Sequence, residues 1–154
     1  MSLTEDMEIL RSIPLFAKIE PAKLKLLAFT SERLNFMEGD EVCRQGDAGD
    51  AAYIILKGEA DVSVATDNGP LMVATLSKND IIGEIAVLCD VPRTATVAAK
   101  TDLETLKVAK DNFFQLVTQF PQIGIQVMHE LAERLHQTTQ DLTRARGQLN
   151  AQDQ

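Results

Sequence analysis

The 154-residue chain has no tryptophan, one tyrosine, two histidines and two cysteines. Both histidines, His129 and His136, fall outside residues 34–109. That excludes the clustered strand histidines of a cupin-like metalloenzyme, and no Ser-His-Asp or Cys-His set can be assembled, so neither a metal site nor catalysis is expected. Cys43 and Cys89 are too few for a disulfide framework, and reduced thiols packed as small hydrophobes are expected. No apolar run approaches the roughly 18 residues of a membrane span. The first ten residues carry acids rather than the basic and apolar regions of a secretory signal, so a cytoplasmic protein is expected. A basic footprint is also missing. The formal net charge is −8, and the densest basic group (Arg134, Arg144, Arg146) sits among acids. Direct nucleic-acid binding is therefore not expected. An anionic small ligand would need local positive groups to outweigh the overall field.

With 45% apolar and 25% charged residues, the chain has the composition of one globular domain. Residues 4–29 read as helical, from Met7, Leu10, Ile13 and Phe16 and then Leu24, Leu27 and Ala28, with Thr4 as an N-cap and Pro21 in the first turn of a second helix. Between about 34 and 109 the texture is that of short strands: Glu41–Gln45, Ala51–Leu56, Ala60–Ala65, Leu71–Leu76, Ala95–Ala99 and Leu103–Val108. Glycine-bearing or polar turns separate them, among them the run Gln45-Gly46-Asp47-Ala48-Gly49-Asp50. After 110 helix returns, with Asp111 as a cap, Phe113, Phe114 and Leu116 as apolar positions, and Pro121 as a break. The predicted fold is α+β: a small antiparallel β-barrel of the jelly-roll kind, flanked by N-terminal helices and a long C-terminal helix. Its parts are an N-terminal helical segment (1–30), the barrel (31–110) and C-terminal lid or dimerisation helices (111–154), all within one domain.

The long helix carries Met128, Leu131, Leu135, Thr138, Leu142, Ala145 and Leu149 in steps of 3, 4, 3, 4, 3, 4, a heptad seam. Such a stripe is narrower than a core-facing one. Beyond about residue 138 the flanks are too polar for general burial, so a partner helix in a homodimer is the expected home for Leu142 and Leu149.

The chemistry concentrates in residues 82–97, Ile-Gly-Glu-Ile-Ala-Val-Leu-Cys-Asp-Val-Pro-Arg-Thr-Ala-Thr-Val. Gly83 lets backbone approach a ligand, and Glu84 to Leu88 can form a short helical turn whose first N–H groups lack intrahelical partners. Arg93 heads an apolar strand, where a guanidinium is costly without a counter-charge. A phosphate would satisfy it bidentately. Glu84 beside it suits a sugar hydroxyl.

This segment resembles the phosphate-binding cassette of cyclic nucleotide-binding domains: Gly-Glu-[Leu/Ile]-Ala, a spacer, then Pro-Arg-[Ala/Thr/Ser]-Ala-[Thr/Ser]-Val. Phe36-Met37-Glu38-Gly39-Asp40, Gln45-Gly46-Asp47, Tyr53 to Gly58 and Ile13-Pro14-Leu15-Phe16 are similar to other parts of that family, so the resemblance covers roughly residues 10–140. It implies that Arg93 pairs with a cyclic phosphate and Glu84 accepts from the ribose 2′-hydroxyl. It also implies that the N–H groups of Ile85 and Ala86 cradle the phosphate and that Gly83 admits the ribose. Thr94 would add a hydroxyl, and Val62 and Val73 would line the base pocket. Two positions depart from the pattern. Asn79 stands before Asp80 where glycine is common, and asparagine tolerates the left-handed conformation that turn needs. Ile82 stands where an aromatic is frequent.

Leu131-Ala132-Glu133-Arg134-Leu135 followed by Thr138-Thr139 is similar to the hinge helix of bacterial catabolite activator-type proteins. That likeness implies that Thr138 and Thr139 read the adenine amino group across a dimer seam, and it favours cyclic AMP as the ligand. Thr94 after the cassette arginine resembles the cyclic-GMP-selective kinase domains instead, which keeps cyclic GMP as the alternative. The expected function is a cyclic nucleotide receptor whose C-terminal helix moves on binding. Activator-type proteins continue into a helix-turn-helix for which no room is expected before Gln154; the chain as a fragment of a larger regulator, channel or enzyme stays open.

Overall fold

The computed structural model describes residues 3–13, 16, 17 and 19–152. Pro14 and Leu15 of the entry motif lie outside the described residues. Two compact units follow one another, residues 1–116 and 117–154.

The first unit opens with α1 (Leu3–Ser12) and α2 (Pro21–Thr30). Helix α1 begins one residue ahead of Thr4. It buries Leu10, with Ile13 and Phe16 buried just beyond it. Helix α2 starts at Pro21, whose missing N–H costs nothing in a first turn, and buries Leu24, Leu27 and Ala28. It stops where Ser31 turns extended, its backbone N–H and its hydroxyl both donating to the Leu27 carbonyl.

Eight strands follow: β1 (Glu32–Phe36), β2 (Glu41–Cys43), β3 (Ala51–Lys57), β4 (Ala60–Thr66), β5 (Gly69–Leu76), β6 (Ile81–Ile82), β7 (Thr96–Ala99) and β8 (Leu103–Ala109). A six-residue helix, α3 (Glu84–Cys89), sits between β6 and β7, and α4 (Lys110–Gln119) follows β8. The strands form two antiparallel four-stranded sheets, in the orders β1-β8-β3-β6 and β2-β7-β4-β5.

The closed jelly-roll barrel expected from the sequence is not what forms. Closure requires edge strands to exchange hydrogen bonds with one another. Here β1 and β6 end one sheet, and β2 and β5 end the other. Strand β6 pairs through only Ile81 and Ile82, and β2 carries a register shift between Glu41 and Cys43, so neither is long or regular enough to bridge the sheets. Period-two alternation buries one face of a strand equally well in two open layers, which is why the sequence pattern does not separate the alternatives.

The core lies between the sheets. Tyr53, Ile55, Ile82 and Leu103 from the first meet Ala60, Leu76, Val97 and Ala99 from the second, with Leu34, Phe36, Val42, Cys43 and Val62 packed against them. Strand β3 is buried at every position from Ala51 to Ile55, as a central strand covered on both faces must be. The buried Thr105 hydroxyl donates to the Leu34 carbonyl at 2.9 Å, so this polar group in the interior is satisfied.

On the free edge of the second sheet, β5 exposes Leu71, Met72 and Val73. The register passes from Val62↔Ala74 to Ser63↔Met72, which leaves Val73 as the extra residue of a bulge.

The second unit is dominated by α5 (Pro121–Gln152). Ile123 and Val127 are buried, whereas Met128, Leu135, Leu142 and Leu149 are exposed at heptad spacing. Among the described residues no helix is long and apolar enough to cross a membrane.

Candidate functional site

Strand β6 hands the chain straight to the cassette. Tyr53↔Ile82 and Ile54↔Ile81 pair it with β3, and the next residue, Gly83, takes φ +84. That left-handed residue is the N-cap of α3. Helical bonding starts with Val87 N–H donating to the Gly83 carbonyl at 3.4 Å, which leaves the N–H groups of Ile85 and Ala86 in the first turn, where no intrahelical acceptor exists. Asp90, also left-handed at φ 54, caps the other end, and Val91 N–H returns to the Ala86 carbonyl.

The upstream turn is built as Asn79 requires. It stands at φ 76, its N–H donating to Ile55 O at 2.8 Å, while Ile55 N–H donates to Asp80 O at 3.0 Å. Asparagine thus holds the left-handed position where the family pattern has glycine.

Arg93 is 4% exposed. Its Nη2 donates to Ala51 O at 2.7 Å and its Nη1 to Gly83 O at 3.2 Å. These carbonyls take two of the five N–H donors of a guanidinium. Asp50 Oδ1 stands 4.0 Å from Nη2 on a side chain that is 81% exposed, and the Tyr53 ring centroid is 6.0 Å from Cζ. The backbone is fixed as firmly: Arg93 N–H donates to Asp47 O at 2.8 Å, and Gly46 N–H donates to Arg93 O at 2.9 Å. A buried cation therefore rests on neutral carbonyls, with its one ion pair among the described residues stretched and solvated.

Glu84, in the first turn of α3, is equally buried at 4%, where the helix dipole favours a carboxylate. Gly83, Ala86 and Arg93 lie against residues 46–51, the loop before β3 and its first residue. A Cβ on Gly49 would come within 2.4 Å of Ala86 Cβ, which shows how closely that loop lies on α3. Ile85 and Thr94 are exposed, Val62 is half-buried, and Val73 is the exposed bulge residue. Thr138 and Thr139 are exposed on α5, in the second unit.

Sequence reasoning missed the partners that hold the arginine. Asp47, Ala51 and Gly83 act through backbone carbonyls, which leave no mark on residue type. The doubled glycine of Gly46 and Gly49 was the available signal, and it reads as a turn when taken alone. Cys43 was also missed as a neighbour: burial pushes its thiol up, and the Arg93 charge pulls it partly back.

The site is thus a two-sheet domain in which the left-handed N-cap glycine of a short helix meets a buried arginine from the loop that follows that helix. Among the described residues no group of three or more His, Cys, Asp or Glu side chains is placed to hold a metal ion. The sequence pattern of the cyclic nucleotide-binding domain matches residues 33–120, over half of the chain, and the chain belongs to that family. It is similar to a cAMP-dependent protein kinase regulatory subunit of Blastocladiella emersonii, 34% identical over 140 residues, which is 90% of this chain and 32% of that protein. A cyclic nucleotide-binding-like protein from Brucella abortus is 30% identical with a TM-score of 0.61, over 74% of this chain and 98% of the other. The catabolite activator protein of Thermus thermophilus is 25% identical with a TM-score of 0.73, over 84% and 61%. The chain spans about a third or less of the curated kinase subunits it matches. These relatives are regulatory subunits and regulators, and the chain carries a receptor-type cyclic nucleotide-binding domain with a long C-terminal helix.

Proposed function

We propose that the chain is a cyclic AMP receptor. The observation that carries this reading is Arg93, a buried guanidinium held by two carbonyls and one distant, exposed carboxylate. A cyclic phosphate supplies the missing negative charge and two acceptors in one plane. Ile85 and Ala86 N–H groups then cradle the same phosphate, Glu84 accepts from the ribose 2′-hydroxyl, and Gly83 admits the sugar. Thr94 adds a hydroxyl near phosphate or base, and Val62 and Val73 flank the base.

Cyclic AMP is preferred over cyclic GMP because Thr138 and Thr139 offer hydroxyls to the adenine amino group from a second subunit. The four exposed apolar residues at heptad spacing on α5, Met128, Leu135, Leu142 and Leu149, support a homodimer seam. Capture of the phosphate draws α3 inward and re-docks the C-terminal helices, by no more than the ligand's differential affinity for the two states. A location in the cytoplasm and no direct contact with nucleic acid go with this reading, the latter supported by the net charge of −8. Parallel calorimetric titration with cyclic AMP and cyclic GMP tests it. Tighter binding of cyclic AMP is expected; no heat from either ligand removes the receptor reading, and tighter cyclic GMP reverses the base assignment.

A further inference from the structure

Away from the cassette a cavity of about 480 Å³ opens beside α1 and the first sheet. Its volume is in the range of small-molecule sites, on the order of 300–1,000 Å³. Ile9 of α1, Ile13 just beyond it and Leu56 of β3 give it an apolar floor. Arg33 and Glu104 also line it, but they pair with each other at 3.0 Å, and Arg33 has Asp6 at 3.9 Å, so their charges are accounted for. Lys57 and Lys78 are different: both line the cavity, both are exposed, and neither has an ion pair among the described residues. In a chain of net charge −8, two uncommitted lysines converging on an apolar hollow form a local exception to the field.

A second observation concerns Asn79, which lines the same cavity. Its side-chain Oδ1 is buried with no hydrogen-bond partner among the described residues. A buried acceptor left unsatisfied costs free energy that a donor on a ligand would return. Its backbone is held, left-handed and with its N–H bonded to Ile55 O, so only the side-chain torsions are free to turn Oδ1 toward the cavity. The acceptor therefore sits on a preformed turn in the cavity wall.

We infer that this cavity binds a small amphipathic anion, a carboxylate, sulfonate or phosphate with an apolar body and one N–H or O–H donor. The acid group lies toward Lys57 and Lys78, the apolar body covers Ile9, Ile13 and Leu56, and the donor satisfies Asn79 Oδ1. No cassette residue lines the cavity, so the site stands whether or not the chain binds a cyclic nucleotide.

The probe is 8-anilino-1-naphthalenesulfonate, which carries all three features, titrated by fluorescence against the whole chain. Saturable one-site binding is expected. The Lys57→Glu, Lys78→Glu double variant, altered only at exposed positions, should bind at least about tenfold more weakly, as reversal of two facing charges requires. Asn79→Gly keeps the left-handed turn and should also weaken the dye. N-phenyl-1-naphthylamine, which lacks the sulfonate, should be indifferent to the lysine changes. Met72→Lys, on the exposed β5 edge, should leave the dye affinity as it was. Absence of dye binding, wild-type affinity in the lysine double variant, or loss of binding in Met72→Lys would each overturn the proposal.

Discussion

Gly83 and Arg93 compete for the same space: a Cβ on Gly83 would stand 1.9 Å from Arg93 Nη1, the nitrogen that donates to the Gly83 carbonyl. Glycine is required twice here, for φ +84 and for the volume the guanidinium fills. Gly83→Ala should therefore displace the arginine and add roughly 1–2 kcal/mol of left-handed strain, visible as a lower urea midpoint. Arg93→Ala should weaken cyclic nucleotide binding by roughly 2–5 kcal/mol, about 30-fold to several thousand-fold. The two sites are coupled, so Gly83→Ala should cost much less affinity in the Arg93→Ala background. Additive losses by calorimetry would mean that the glycine acts elsewhere than on the arginine.

Glu84 is assigned to one atom of the ligand, and that makes it separable from the fold. Glu84→Gln should lower affinity for the ribose nucleotide, by about 1.5–3 kcal/mol for a charged hydrogen bond. The 2′-deoxy analogue should lose little. Equal losses for the two ligands would show that the buried carboxylate supports the helix instead.

The sequence made the two ends of this site legible to different degrees. Arg93 stood out because charge at the head of an apolar strand is rare without a purpose, and Glu84 because it falls within the same ordered segment. Most strands were legible from β-rich runs between glycines. Strand β1 was not, because Glu32, Arg33 and Asn35 dilute its pattern and its pairing with β8 spans the whole domain. Strand β6 has two residues and exists only through β3. Layer closure was misread for the reason given above: alternation specifies a buried face, not what becomes of the sheet edges. Asn79 shows the reverse case, where a local conformational tolerance read from residue type is met by a left-handed φ.

Asp90 and Lys110 join the C-cap of α3 to the first residue of α4. The lysine ammonium donates to Asp90 Oδ1. That hydrogen bond, and then the lysine charge, hold the Asp90 carboxyl below the usual range. A carboxyl depressed in the folded state adds stability above its unfolded pKa, about 3.9, and loses it as pH falls through the folded value. Lys110→Met should be less stable than the parent at neutral pH, and the gap should close as the solution is taken below about pH 4. The Asp90 carboxyl, followed by NMR titration, should rise toward the ordinary range in the variant. An unshifted titration would mean the pair does not persist in solution.

The exposed apolar positions of α5 give the proposed dimer its test. Leu135→Lys with Leu142→Lys should produce a monomer by sedimentation at saturating nucleotide, while the parent sediments as a dimer. If Thr138 or Thr139 reaches the ligand of the other subunit, dimerisation and nucleotide binding are linked and each must strengthen the other. The same variant should then bind cyclic AMP more weakly, with a coupling on the order of 1–3 kcal/mol. A parent that remains monomeric at every accessible concentration would end the cross-subunit role of the threonines.

The bulge at Val73 has a consequence for how this protein behaves when crowded. A free sheet edge is a template on which another chain can crystallise strand by strand. On β5 that template is spoiled twice, by Pro70, which has no N–H to offer, and by the extra residue opposite Val62 and Ser63, which throws the rows of donors and acceptors out of step. Leu71, Met72 and Val73 still face water, so the edge is adhesive without being in register. The apolar side chains are thus offered to a neighbour without an unbroken row of backbone donors and acceptors to extend.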